Sequence, residues 1–111
     1  MAGSSTIARG NLIGTFVLQA TLTPVGVAAN STVEQSFTIP GLLAGDQPSN
    51  FSLLSAYPNS DVSFVNLRVP SNNTLVVAYQ NGTAGALVPP AGNYYIEVNR
   101  IENLPPPSNL V

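Results

Sequence analysis

Lysine, histidine, cysteine and tryptophan are all missing from this chain of 111 residues, and methionine occurs once. Without cysteine no disulfide can staple the fold, so an apolar core must hold it, and the redox compartment is unreadable. Without histidine and lysine, most of the groups that move protons or attack carbonyls in enzymes are gone. Charge is scarce as a whole: three arginines and five carboxylates make up 7% of the residues, where an ordinary soluble domain has about 25%. A net charge of −2, with Arg9, Arg68 and Arg100 far apart, leaves no basic patch for nucleic acid. No apolar run approaches the roughly 18 residues of a membrane span. The start, Met1 to Thr6, has neither the basic residues nor the apolar stretch of a secretory signal. These absences point to a protein that is not an enzyme, carries no cofactor and meets neither nucleic acid nor a membrane.

What covers the surface instead is Asn, Ser, Thr and Gln, 35 residues between them. A surface of neutral polar groups gives up the charge that keeps free proteins apart. It suits a subunit packed against other protein, and so an assembly module. A hydrophobic fraction of 44% is enough for one core in a chain of this length, which should bury about two-thirds of its unfolded surface.

The periodicity is that of strands. Leu12–Leu22 sets Phe16, Leu18, Ala20 and Leu22 against Val17, Gln19 and Thr21, and Thr32–Ile39 repeats the alternation. Further strands are expected at Phe51–Ala56, Val62–Val69, Thr74–Gln80, Ala84–Val88 and Asn93–Ile101. In the last of these Tyr94 and Tyr95 must face opposite ways. Turn residues separate them, among them Pro24-Val25-Gly26, Pro40-Gly41, Ser71-Asn72-Asn73 and Pro89-Pro90. Asn81-Gly82 is the strongest hairpin signal, since both residues tolerate positive φ. No stretch is amphipathic at helical spacing; Gly41–Gly45 makes one turn at most. About seven strands with turns every 8–12 residues predict an all-β, single-domain antiparallel β-sandwich of jelly-roll-like form, spanning 12–102. Residues 1–11 and 103–111 are expected to be extended arms, the second stiffened by Pro105-Pro106-Pro107.

The ionisable side chains offer little chemistry. Asp46 and Asp61 fall in loops, but no tryptophan platform supports glycoside hydrolysis and no calcium-loop spacing is present. Asp46 is expected to close a turn. Arg68 lies inside a strand, where its charge must reach solvent or find a carboxylate, Glu97 being one candidate. Arg100, beside Glu97 and Glu102, is a candidate for an ion pair across a subunit boundary. Exposed strand edges are commonly blunted by lysine, and this chain has none. Prolines and turns or neighbouring subunits must cover them. The expected oligomer interface therefore comprises Arg9, Leu12 and Ile13 on the N-terminal side. It adds Arg68 and Arg100 from the sandwich and Leu104, Pro105, Pro106, Pro107, Leu110 and Val111 on the C-terminal side.

Four segments carry a resemblance. They are Ile39-Pro40-Gly41-Leu42-Leu43-Ala44-Gly45-Asp46, Val65-Asn66-Leu67-Arg68-Val69, the strand from Asn73 and Thr74 to Tyr79-Gln80-Asn81-Gly82-Thr83, and Pro89-Pro90-Ala91-Gly92-Asn93-Tyr94. Their order resembles a small β-domain of tailed-bacteriophage virion proteins, including head decoration (cement) proteins, over about half the chain. The sequence departs from that pattern at Leu67, where alanine is usual, and in a longer polar stretch at 47–61. The resemblance implies a capsid decoration protein, made in the host cytoplasm and seated on the outer capsid surface of the virion. It would act as a homo-oligomer, a dimer or a trimer, and clamp neighbouring subunits of the major capsid protein. A head fibre, neck or tail protein using the same domain is the nearest alternative. A carbohydrate-binding or adhesin-type sandwich is another, and would need exposed aromatic rings, for which Tyr57, Tyr79, Tyr94 and Tyr95 are the available tyrosines.

Overall fold

The computed structural model describes residues 12–54 and 62–101. Within them the chain is all-β, with six strands and no helix: β1 (Leu12–Leu22), β2 (Ser31–Thr38), β3 (Gln47–Leu53), β4 (Val62–Ser71), β5 (Thr74–Asn81) and β6 (Gly92–Ile101). They form two three-stranded antiparallel sheets, ordered β1-β6-β3 and β2-β5-β4. Expected were seven strands. The missing one is Ala84–Val88, which keeps a single bridge, Leu87 to Val27. That segment carries the chain from one sheet to the other, and Pro89 and Pro90 can donate no ladder hydrogen bonds.

The alternation seen in the sequence now has a partner on each side. Phe16, Leu18 and Ala20 of β1 lie opposite Val98, Ile96 and Tyr94 of β6, and Phe51 and Leu53 of β3 flank β6 on its other side. From the second sheet come Phe37, Leu67, Leu75, Val77 and Tyr79. Phe51 stacks on Tyr94 at 4.5 Å and meets Phe64 edge-on at 5.1 Å, closing the sandwich along its β3–β4 side. Ring pairs of this kind contribute about 1 kcal/mol each beyond the area they bury.

The central strand β5 reads Leu75-Val76-Val77-Ala78-Tyr79 without alternation, and all five residues are buried. Leu75, Val77 and Tyr79 enter the core. Val76 and Ala78 lie on the outer face, where Arg68 of β4 sits opposite Val76 and Glu34 of β2 opposite Ala78. Those two side chains meet across β5 in a two-pronged ion pair, with both contacts at 2.8 Å. The flanking strands are about 10 Å apart, so the methylene stems of the pair lie over the central strand. Arg68 therefore points to solvent and is paired as well, but its partner is Glu34 rather than Glu97.

The turns fall at two ends. One end carries the 39–46 loop, the Asn72-Asn73 turn, and the positions where β1 begins and β6 stops, with Leu12 paired to Ile101. The other end carries the connections 23–30 and 82–91, beside the end of β3 and the start of β4. Asn81-Gly82 is not a hairpin: β5 and β6 belong to different sheets, and the tight turn joins β4 to β5 at Asn72-Asn73 instead.

Candidate assembly surfaces

The end at which β1 begins and β6 stops is built around Arg100 and Asp46. The 39–46 loop folds back so that Asp46 accepts a hydrogen bond from the Leu43 amide at 2.9 Å, as expected for a turn-closing aspartate. Asp46 is only 5% exposed. Arg100, on β6, donates from Nε to Oδ1 at 2.9 Å and from Nη2 to Oδ2 at 2.7 Å, and also to the Gly41 carbonyl at 2.8 Å. Its guanidinium lies 4.9 Å from the centre of the Phe16 ring. The guanidinium hydrogen bonds hold the Asp46 carboxyl below its ordinary range, against the opposing effect of burial. Within the described chain, Arg100 thus takes Asp46 as its carboxylate partner.

The Asn72-Asn73 turn is clamped into the same loop. Asn73 adopts φ of 60°, a conformation that asparagine tolerates better than most residues. Its Oδ1 accepts from Gly41 N at 3.0 Å, and Asn72 Oδ1 accepts from Ala44 N at 3.0 Å. The Asn73 amide donates to Leu42 O and its carbonyl accepts from Ile39 N, both at 2.8 Å. This end is thus a rigid platform cross-linked by side chains.

The opposite end has no charge in its 23–30 and 82–91 connections. Val25 is 66% exposed and Val88 59%, with Gly26 packed beside Val88. Asn81 organises the loops from beneath: its amide nitrogen donates to Val27 O at 3.0 Å and Gly85 O at 2.9 Å, and its Oδ1 accepts from the Thr83 amide and hydroxyl. Gln35 ties the Val25 backbone to β2 in the same two-way manner. The result is a firm, neutral, partly apolar surface.

Of the interface residues expected from sequence, Arg9 and Leu104, Pro105, Pro106, Pro107, Leu110 and Val111 lie outside the described residues, as do Asp61 and Tyr57. Leu12 and Ile13 open β1 at the same end as Arg100. Arg68 is on the outer face of the other sheet. Sequence reasoning missed the roles of Glu34, Gln35 and Asn81, whose partners include Arg68, Val25 and Val27 on other segments of the chain. Tyr94 is buried with its hydroxyl on the Pro90 carbonyl at 2.6 Å, while Tyr95 is exposed on the outer face of its sheet. Among the described residues no three metal-ligating side chains gather. Comparison with protein-family models, with curated proteins and with solved structures gives no match to this chain.

Proposed function

We propose that this chain is a virion structural protein, a decoration protein that binds the outer surface of a bacteriophage head and stabilises contacts between major capsid subunits. The observation that carries the reading is the neutral surface. The described domain has five charged side chains, and four of them, Glu34 with Arg68 and Asp46 with Arg100, neutralise each other within the chain. A domain with so little net field is fitted to permanent contact with other protein, where an unpaired charge would be costly to bury. The strand orders β1-β6-β3 and β2-β5-β4 support a jelly-roll reading of the sandwich, namely a jelly roll shortened by one hairpin between β4 and β5. Strand β1 begins and β6 stops at the same end of the sandwich, so segments 1–11 and 103–111 join it there, a placement suited to contacts with neighbouring subunits.

Copy number tests the reading. In purified particles carrying this protein, quantitative mass spectrometry should find it in an amount comparable to the major capsid subunit. A handful of copies would move it to a fibre, neck or tail position, and absence from the particle would overturn the proposal. Removing 103–111 should weaken attachment to heads with the β-sheet circular-dichroism signal unchanged. Attachment at full strength would exclude the C-terminal arm.

A further inference from the structure

Two three-stranded sheets have four edges, and three of them are blunted. Strand β3 carries Pro48 and a register shift between Pro48 and Asn50. Strand β4 has two register shifts, together with Pro70 and the charged Arg68. Strand β2 carries Glu34, and its Gln35 side chain holds the Val25 backbone against it. Each is a recognised means of stopping strand addition. Strand β1 has only one register shift, at its very start between Leu12 and Gly14. From Gly14 to Leu22 its ladder with β6 runs without a shift, and Leu12–Leu22 contains no charge and no proline. Among the described residues no backbone group pairs with its outer side. Its inward row, Phe16, Leu18 and Ala20, is only half-buried, unlike Tyr94, Ile96 and Val98 beside it. Its outward row includes Val17, 59% exposed.

We propose that the free edge of β1 is a homodimer interface, paired antiparallel with β1 of a second copy about a two-fold axis to give a six-stranded sheet β3-β6-β1-β1-β6-β3. A second copy is the occupant because the edge is self-complementary. With no charge in β1, no register places like charges opposite each other. From Gly14 to Leu22, β1 itself supplies a partner strand of the same regular geometry. Joining two sandwiches there also covers the half-buried Phe16, Leu18 and Ala20 of both. The pairing is isologous and uses up the edge, and the remaining edges are blunted, so growth stops at two. A three-fold ring would need β1 to pair with one of the blunted strands, so the edge selects a dimer over a trimer. The inference rests on edge geometry and holds whatever larger assembly the protein joins.

The test is the solution mass of the full chain by light scattering over a range of concentrations, beside backbone amide exchange. The wild type should be a dimer, with every amide of 14–22 protected at high concentration. Those pointing away from β6 should lose protection on dilution. The double variant Val17→Lys with Gln19→Lys should be monomeric. Both side chains are exposed, and a lysine introduced at position 17 would face Glu97 across the ladder, so the variant's melting curve serves as a folding control. A wild type that is monomeric at every concentration would overturn the proposal. So would a dimer that persists in the lysine variant with freely exchanging β1 amides, which places the contact elsewhere. Protection independent of concentration would also overturn it, since the chain would then be covering its own edge.

Discussion

The residue that ties the most together is Asp46. Its carboxylate accepts from one backbone amide and from two nitrogens of Arg100, and it is nearly out of solvent. Replacing it with Asn keeps the size and one acceptor but removes the charge that Arg100 faces. The expected loss is about 2 kcal/mol in urea unfolding, the usual size for hydrogen bonds to a charged group. Acid should have a related effect. The folded-state pKa is depressed, so the stabilisation is present above the unfolded-state value of about 4 and is lost as pH falls through the lower folded value. Glu34, held down chiefly by its hydrogen bonds from Arg68, acts on the same limb in the same direction. The unfolding midpoint should therefore be level above about pH 5 and fall below it. Asp46→Asn should flatten part of that fall, and a variant that keeps the whole slope would assign it to other groups. That Asp46 closes a turn was legible from its place after Gly45. Its partner 54 residues away was not, because no local spacing encodes a contact made by folding two distant segments together.

At the scale of elements, the strands were legible where one face is wet and one is dry. Strand β1 matches its expected span end to end, and β6 differs by one residue, because alternation survives when a sheet is half-exposed. Strand β3 begins at Gln47 rather than Phe51, since Pro48 reads as a strand breaker unless the strand lies on an edge, where its missing N–H faces no partner. The hairpin signal misled for a similar reason. Asn-Gly marks a two-residue turn only if the flanking strands pair, and β5 and β6 do not. Asn72-Asn73 makes the turn instead, and there the local preference and the long-range clamp agree. Asn73→Ala forfeits both the positive φ that asparagine tolerates and the bond to Gly41. It should cost about 2 kcal/mol, and Asn73→Gly about half of that, because glycine keeps the φ and loses only the bond. Equal losses in chemical denaturation would place the whole effect in the hydrogen bond.

For the whole molecule, the arrangement of its few charges sets the kind of contact it can make. Glu34 and Arg68 lie flat over β5, and Asp46 and Arg100 are drawn into one end, so most of the described charge is neutralised inside the chain. What the described residues leave for a partner is the outer edge of β1, the Val25–Val88 end and a field of Asn, Ser, Thr and Gln. Salt acts differently on such contacts than on ion pairs. Raising ionic strength from about 0.01 to 1 M shortens the screening length from about 30 to about 3 Å, which would dissolve an interface built from exposed charges. Here the dimer dissociation constant should change by less than about threefold over that range, because apolar burial and backbone pairing carry no net charge to screen. Sedimentation equilibrium at the two extremes measures it. A loss of more than about tenfold, roughly 1.4 kcal/mol, would mean that charged groups carry the contact. Arg9, Asp61 and Glu102, which lie outside the described residues, would then be the place to look.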